Sequence, residues 1–362
     1  MQEHAGQLVD CLRRTHTATV FTGLGAEVPA GPGGGDVEPR LRWRWARDRA
    51  VLERAAVDAW IILNAGISPY AARLARPAFV YVHGNDFVKP WFPHPGLDVR
   101  LVRKALPGHR RDRFMQTWRE RQIRRGLNAA RLVFANSRFT RDLCASRFTL
   151  PADRIEVVPP GIGAAFFQTH RPRAGTTLRI VTVARLATDA ERKNIDGVLE
   201  AVARLVGEID IQYTIVGDGN DRARLQERAR ALNVATRVVF TGRIDAGALR
   251  HVYASSDLFV MAVRPSPRDV EGFGMVYAEA AASGLPSLAT AVGGIVDAVS
   301  DGVTGILIAD ATTDSIVDGL RRFYRDPGRF DPAALQAFAS AVSATRCSER
   351  LAMLVADALT RG

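Results

Sequence analysis

The sequence predicts an α/β protein of two domains, each with a parallel sheet wrapped by helices. At 362 residues the chain is longer than one hydrophobic core of about 250 residues usually supports. From Leu178 onward, short β-branched runs alternate with helical patterns, which is typical of a parallel sheet. The hydrophobic content of 47% is enough for packed cores, yet no apolar run approaches the ~20 residues that span a bilayer.

The second half has the pattern of a doubly wound domain. Apolar residues recur at helical spacing from Ile195 to Val206, and a second helix is predicted over residues 223–232. An alanine-rich helix begins near Gly274 and should stop at Gly284. The predicted strands cover residues 178–184, 211–216, 238–241, 258–262, 286–290 and 305–309.

The first half contains five predicted strands, at residues 17–22, 60–63, 79–82, 132–135 and 155–158. Residues 30–35 are rich in glycine and are interpreted as a flexible loop. A phosphate-binding loop is the alternative, but no strand leads directly into these glycines and no helical pattern follows. We expect a first domain over residues 1–168, a second over 169–340, and a terminal helix over 341–362.

Cysteine usage and the N-terminal composition favour the cytoplasm. Cys11, Cys144 and Cys347 are well separated and form neither a metal-type pair nor an even disulfide framework. Residues 1–11 lack the apolar centre of a secretory signal. The seven histidines are scattered without ligand spacing, so the sequence predicts no metal site.

The net charge of +11 lies entirely in the first half. Residues 1–168 hold 26 Lys or Arg against 15 Asp or Glu, whereas residues 169–362 hold 23 of each. On a helix, Arg113, Arg121 and Arg124 fall within about 80° of one another and form one basic face. Such a face suits an anionic membrane surface or an anionic acceptor. An ordinary solvated helix is the alternative; nucleic acid is not expected, because no recognised binding motif is present.

Two carboxylates and a run of backbone N–H groups indicate a binding site for a polyhydroxylated, phosphorylated molecule. Glu271 lies in a glycine-rich loop, and Glu279 lies in the helix that follows. Between them, Gly272 and the segment Phe273–Gly274–Met275 can direct backbone N–H groups at a ligand. A plain loop–helix–strand unit is the alternative. A glycosidase acid pair is a further alternative, but that chemistry needs both carboxyl groups to flank one bond.

Three other side chains are candidates for the same chemistry. Arg185 and Lys193 flank a short polar loop after the first strand of the second half, where they can clamp a diphosphate or lie on the surface as ordinary cations. His83 follows the apolar strand at 79–82, and the carboxyl end of such a strand faces a crevice in doubly wound folds. A histidine that only structures its loop is the alternative.

The stretch D-V-E-G-F-G-M-V-Y-A-E-A at residues 269–280, followed by Gly284, Pro286 and Gly293–Gly294, resembles the nucleotide-sugar loop of family-4 retaining glycosyltransferases. The resemblance implies the GT-B fold, with two facing Rossmann-like domains. It also implies transfer of a sugar, of mannose or glucose type, from a nucleoside diphosphate sugar to a glycan or lipid-linked acceptor in cell-surface polysaccharide or lipopolysaccharide biosynthesis. The resemblance further implies that configuration at the anomeric carbon is retained and that neither a metal nor a cofactor is required.

The resemblance assigns a role to each candidate residue. Arg185 and Lys193 bind the donor diphosphate, and Glu279 accepts hydrogen bonds from the ribose hydroxyls. Glu271 contacts the transferred sugar, and His83 lies near that sugar and its phosphate. The segment Gly242–Arg243–Ile244 meets the nucleobase. The sequence of residues 269–274 is similar to that of GDP-mannose-dependent α-mannosyltransferases. The resemblance therefore implies GDP-mannose as the donor, and a UDP-sugar is the alternative.

One departure concerns the beginning of the chain. Members of the family begin with a strand, a Gly–Gly loop and a helix, whereas residues 1–8 already resemble that helix. The first strand is therefore expected to be missing, either because the true start lies upstream or because part of the acceptor side is lost. The alternative functions are a nucleotide-binding interaction protein without catalysis and a GT-B epimerase. The expected location is the cytoplasm, with the inner face of the cell membrane as a peripheral site.

Overall fold

The computed structural model describes residues 48, 52–88, 108–168, 175–267 and 269–361, which divide into two compact units. Unit 1 holds the described residues up to Gly161, residues 269–272, and the residues from Ala344 onward. Unit 2 holds Ile162–Pro267 and Phe273–Ser343. The predicted strand at 17–22, the glycine-rich stretch at 30–35 and the expectation about the first strand lie outside the described residues.

The sheet of unit 1 has four parallel strands in the described residues: β1 (Trp60–Ile62), β2 (Ala78–Val82), β3 (Leu132–Ala135) and β4 (Ile155–Val157). They lie in sequence order, with Phe79 opposite Leu132 and Val133 opposite Ile155. Every residue of β2 is buried, because both faces of a parallel sheet are covered.

Helices flank this sheet, and one of them begins at a side-chain cap. The short helix α1 (Asn85–Val88) follows β2, and the long helix α2 (Gly108–Ala129) precedes β3. The helix α3 (Arg138–Phe148) begins after Ser137, whose hydroxyl accepts a hydrogen bond from the backbone N–H of Thr140. Helix α2 contains Arg113, Arg121 and Arg124, so the prediction that the basic face lies on a helix is confirmed.

In the part of unit 2 that the structure describes, the sheet has six parallel strands, in the order β10–β9–β8–β5–β6–β7. The strands are β5 (Leu178–Val183), β6 (Ile211–Val216), β7 (Val238–Gly242), β8 (Leu258–Met261), β9 (Ser287–Thr290) and β10 (Gly305–Ile308). Strand β5 is hydrogen-bonded to β6 on one side and β8 on the other. Strands β6 and β7 therefore extend the sheet on one side of β5, and the later strands β8, β9 and β10 extend it on the other side.

Among the described residues, seven α-helices connect or follow these strands: α4 (Ile195–Leu205), α5 (Arg222–Ala231), α6 (Ala246–Ser255), α7 (Met275–Ala282), α8 (Ile295–Ala298), α9 (Thr313–Arg325) and α10 (Pro332–Ser340). The last helix, α11 (Ala344–Thr360), belongs to unit 1, where the Arg131 side chain donates to the carbonyl of Ala358 at 3.1 Å. No helix among the described residues combines the length and apolar character needed to cross a membrane.

The predicted fold class is confirmed, and each predicted strand inside the described residues is present within one residue at either end. The predicted helix at 223–232 is α5, and the alanine-rich helix is α7. Gly284 adopts a φ of +72° two residues beyond the end of α7, a conformation that ends the helix without strain only at glycine.

A substitution at Gly126 of α2 can test how closely this helix packs in unit 1. Alanine in a helix is normally more favourable than glycine. A Cβ at Gly126, however, would lie 2.2 Å from the carbonyl oxygen of Ser68. We therefore expect Gly126→Ala to destabilise the protein by about 2 kcal/mol and lower its thermal midpoint by several degrees. Gly207→Ala is the control, because a Cβ at that position meets nothing within 4 Å. Equal midpoints for the two variants would contradict this packing.

Candidate active site

The two loops that carry most of the predicted site in unit 2 leave the same edge of its sheet. Strands β5 and β8 are parallel neighbours, so the segments after Val183 and after Met261 emerge side by side. The backbone N–H of Arg264 donates to the carbonyl of Arg192 at 2.8 Å, which joins the two segments. This is the point where the strand order reverses, and open α/β sheets bind ligands at such a point.

The backbone on both sides of Arg185 is fixed by the glycine turn that follows β6. A Cβ at Gly217 would lie 1.9 Å from the carbonyl oxygen of Ala184, and one at Gly219 would lie 2.0 Å from that of Leu186. Both glycines also have positive φ, at +134° and +154°. Only glycine permits this approach, so the turn holds the Arg185 backbone in place. The Arg185 side chain is exposed and donates to Asp189 at 3.0 Å.

Lys193 is half-buried at the end of the 3₁₀ helix Thr188–Lys193 and directly precedes a strained, buried residue. Asn194 has a φ of +57° and is fully enclosed, and its side-chain amide donates to the carbonyl of Ala311 at 2.8 Å. Gly197 leaves room for it, because a Cβ there would lie 2.6 Å from the Asn194 Oδ1. The asparagine therefore fixes the chain direction at Lys193 as α4 begins.

Glu279 is buried inside α7, which begins after Gly274 with a φ of +92°. The hydroxyl of Tyr253 donates to the Glu279 Oε2 at 3.1 Å. Burial raises the pKa of Tyr253 well above its usual value, and the Glu279 carboxylate adds to the effect. The tyrosine therefore stays protonated, and the carboxylate acts as the acceptor in this pair.

The predicted nucleobase segment follows β7. Gly242 is buried with a φ of +72°, and its carbonyl accepts from the backbone N–H of Gly217 at 3.0 Å. Arg243 is exposed and Ile244 is half-buried. The segment is thus joined to the turn that supports Arg185, and its two side chains lie at or near the surface of unit 2.

His83 is half-buried after β2 in unit 1, with its Nε2 3.2 Å from the carbonyl oxygen of Leu63. A carbonyl can only accept, so Nε2 carries the proton and Nδ1 carries the lone pair. Burial lowers the pKa of His83 to about 4, although the contact with Leu63 opposes this shift. The ring is therefore neutral near pH 7.

Asp86 supports the turn that contains His83. This buried carboxylate accepts from the backbone N–H of Ala65 at 2.8 Å and from that of His83 at 3.0 Å. Burial raises its pKa to about 6, and the N–H donors partly offset the increase. Both carboxylate oxygens accept from backbone N–H groups, so the role of Asp86 is to hold the backbone at Ala65 and His83.

Residues 269–272, which include the half-buried Glu271, pack within unit 1 beside His83. A Cβ at Gly272 would lie 2.1 Å from the carbonyl oxygen of His83, so only glycine fits there. The carbonyl of Gly272 accepts from the hydroxyl of Thr140 at 3.3 Å. Asn85 donates to the Asp269 carboxylate at 2.7 Å and accepts from the backbone N–H of Val270 at 2.9 Å.

The predicted basic face is exposed on α2. Arg113, Arg121 and Arg124 all lie at the surface, and none forms an ion pair with another residue that the structure describes. Glu120 of the same helix is paired with Arg147 of α3 at 2.6 Å. Glu120 is therefore already neutralised from within unit 1.

The structure groups the predicted residues by unit. Unit 1 places His83 beside the loop of Glu271 and Gly272, and unit 2 holds the remaining donor-site residues: Arg185, Lys193, Gly242, Arg243, Ile244, Phe273, Gly274, Met275 and Glu279. Asn85 and Thr140 were not predicted; Asn85 lies just after a buried strand, and Thr140 lies in the first turn of the helix that follows another one. Among the described residues, no three His, Cys, Asp or Glu side chains come together as a metal site would require.

The neutral state of His83 can be tested by titration. We expect its imidazole to titrate near pH 4 rather than near 6.5, because burial disfavours the charged ring. The unfolded chain then takes up this proton more readily than the folded chain, so His83 lowers folded-state stability as the pH falls from about 6.5 to about 4.

NMR titration measures the pKa, with His83→Gln to assign the resonance, and unfolding of both proteins against pH measures the linkage. Asp86, whose pKa is raised, has the opposite effect on stability, and the comparison with the variant removes its contribution. A midpoint near 6.5, or a difference in stability that does not change across this range, would contradict the assignment.

Two family models match consecutive parts of the chain. The model for Glycosyltransferase Family 4 matches residues 1–166, and the model for Glycosyl transferases group 1 matches residues 168–339. Together they account for nearly the whole sequence, and the boundary between them lies within seven residues of the end of the first stretch of unit 1 at Gly161.

Several relatives match about half of the chain. The GDP-mannose-dependent alpha-(1-6)-phosphatidylinositol monomannoside mannosyltransferase of Mycolicibacterium smegmatis is 36% identical over 217 residues, which are 57% of this chain and 56% of that protein. The D-inositol 3-phosphate glycosyltransferase of Paenarthrobacter aurescens is 32% identical over 55% of this chain and 50% of that protein. The chain thus spans about half the length of the relatives it matches.

Solved structures share the fold at low identity. Sucrose-phosphate synthase from Thermosynechococcus elongatus has a TM-score of 0.72 at 18% identity, covering 98% of this chain and 92% of that one. The apo form of the lipopolysaccharide outer core galactosyltransferase WaaB has a TM-score of 0.65 at 16% identity, covering 86% and 78%. With its two parallel-sheet domains of GT-B type and both family models matched, the chain belongs to the family-4 glycosyltransferases.

Proposed function

We propose that the protein is a retaining glycosyltransferase that moves a hexose from a nucleoside diphosphate sugar to a glycan or glycolipid acceptor in cell-surface polysaccharide synthesis. The observation that carries the proposal is the arrangement at the strand-order reversal of unit 2. Arg185 and Lys193 lie on a loop fixed by Gly217, Gly219 and the buried Asn194, at the sheet edge where such folds bind ligands.

In this proposal unit 2 binds the nucleotide. Arg185 and Lys193 neutralise the diphosphate, and their charge becomes most important as the leaving group departs. The backbone N–H groups at the start of α7, at Gly274 and Met275, add donors. Glu279, oriented by Tyr253, accepts from the ribose hydroxyls. The two cations replace a divalent metal in this role, so the reaction needs no metal or other cofactor.

The sugar end of the donor is assigned to Glu271 and His83. Glu271 accepts hydrogen bonds from hydroxyls of the transferred hexose. His83, neutral at pH 7, contributes a lone pair at Nδ1 and no positive charge. The resemblance offers no carboxylate nucleophile. We therefore propose front-face transfer, in which the departing phosphate takes the proton of the attacking hydroxyl.

GDP-mannose is the first donor to test. Relatives described as GDP-mannose-dependent mannosyltransferases are 36% identical over 57% of this chain and 38% identical over 30% of it. One of them is named for a phosphatidylinositol-based acceptor, which is anionic. An anionic lipid acceptor also suits the exposed basic face of α2, and for this reason we propose that α2 approaches an anionic membrane surface.

The function is tested with the purified chain, by calorimetry with GDP, UDP and ADP and by release of nucleotide from their sugars with lipid extract. We expect one diphosphate to bind and its sugar to be turned over only when acceptor is present. Binding without release would instead support a nucleotide-binding protein that does not catalyse transfer. No binding of any diphosphate would contradict the proposed site.

Two variants separate binding from turnover. Glu279→Gln keeps an acceptor for Tyr253 but loses the anionic partner of the ribose, so the Kd for the diphosphate should rise about tenfold. Lys193→Gln should weaken that Kd modestly and lower kcat about 100-fold, because its charge acts mainly on the leaving group. Arg230→Gln, at an exposed arginine paired with Glu227, is the matched control. Unchanged kinetics in both site variants would remove this assignment.

The membrane proposal makes a separate prediction. Replacing Arg113, Arg121 and Arg124 with Gln should reduce binding to vesicles of anionic lipid by about 100-fold, because each basic residue near such a surface contributes about 1 kcal/mol. Sedimentation with vesicles at physiological salt measures the effect. The control makes the same change of charge in unit 2, at Arg204, Arg230 and Arg325. Equal loss in the two triple variants would show that net charge, rather than this face of α2, governs binding.

A further inference from the structure

We infer that Asn85 is a positioning residue that holds the Glu271 loop in place through a reciprocal pair of hydrogen bonds. Its Nδ2 donates to the Asp269 Oδ1 at 2.7 Å, and its Oδ1 accepts from the backbone N–H of Val270 at 2.9 Å. One side-chain amide thus uses both of its ends on two consecutive residues of the loop. The catalytic consequence of this inference rests on the proposed function.

A second contact holds the loop on the other side of Glu271. The Thr140 hydroxyl donates to the carbonyl of Gly272, and Gly272 itself lies against the carbonyl oxygen of His83. Thr140 is fully buried at the start of α3. Residues 270 and 272 are therefore both fixed, and the backbone of Glu271 between them has little freedom to move.

The turn that carries Asn85 is itself constrained. Gly84 has a φ of +88°, and a Cβ there would come within 3.3 Å of Val270 and 3.1 Å of the Thr140 hydroxyl. Asp86, one residue further along, is buried and holds the backbone N–H groups of Ala65 and His83. Asn85 therefore projects from a rigid support, which a residue that orients a catalytic loop requires.

The chemistry of the pair allows a charge-swap test. In Asn85→Asp the new carboxylate faces Asp269 and can no longer donate, so two like charges meet where a 2.7 Å hydrogen bond stood. Asp269→Asn alone keeps an oxygen that accepts from Asn85. In the double variant, the carboxylate at position 85 accepts both from the Val270 N–H and from the new amide at 269. Both hydrogen bonds are then restored with the roles reversed.

Hydrogen exchange of the full chain measures how well the backbone amides of the loop are protected, independently of any activity. We expect exchange in the peptide that contains Val270 to accelerate about tenfold in Asn85→Asp, and to return to the parent rate in the double variant. Asp269→Asn should match the parent. The double variant also keeps the new carboxylate beside Asp86, so rescue isolates the contact between positions 85 and 269.

Kinetics then test the consequence for Glu271. Asn85→Asp should lower kcat for sugar transfer by about 10- to 100-fold while leaving the Kd for the free nucleoside diphosphate unchanged, because that ligand lacks the hexose. The double variant should regain most of the lost rate. Thr140→Val, which removes the other contact, should also lower kcat and serves if Asn85→Asp does not fold.

The outcomes separate the two ideas. Parent-like exchange in Asn85→Asp, or accelerated exchange without rescue in the double variant, would overturn the inference whether or not the chain transfers sugar. Accelerated and rescued exchange in a protein that turns over no nucleotide sugar would support the positioning role and refute the proposed function. Rescued exchange with unaltered kcat in an active parent would show that the loop is held but that Glu271 does not depend on it, which also overturns the inference.

Discussion

The arrangement of unit 2 depends on one constraint, the parallel pairing of β5 with β8. Because both strands run in the same direction, the segments that follow Val183 and Met261 must leave from the same edge. An antiparallel pairing would send one of them to the opposite end of the sheet. The hydrogen bond between Arg264 and Arg192 then joins the two segments, so that Lys193 is held next to a fixed stretch of backbone.

Both units hold their candidate functional side chains in the same physical way, by fixing the backbone on either side. Gly217 and Gly219 press against the carbonyls that flank Arg185, and Asn85 and Thr140 bind the residues that flank Glu271. Binding to a side chain presented in this way needs no further ordering of the backbone, because that part of the chain is already fixed. The glycines are essential to this scheme, since a Cβ would meet a backbone oxygen that cannot move aside.

Strands β2 and β8 could be predicted from the sequence because each is a continuous apolar run in a covered part of a parallel sheet. Residues 258–261 and 78–82 are buried throughout, so a local pattern was sufficient to locate them. The role of Asn85 could not be predicted, because its partners lie 184 and 185 positions away in the chain. Nor could the protonation of His83, which depends on the carbonyl of Leu63 and on burial that only the folded chain creates.

The charge distribution gives the two units different electrostatic character. In unit 2 several arginines are paired with acids: Arg224 bridges Asp196 and Asp221, and Arg321 pairs with Glu208. On α2 the acid Glu120 is paired with Arg147, and the three arginines of the basic face are exposed to solvent. Three such residues contribute about 3 kcal/mol at an anionic surface, which gives a reversible attachment. In the proposed role, this strength lets a transferase visit lipid-linked acceptors and leave again after each transfer.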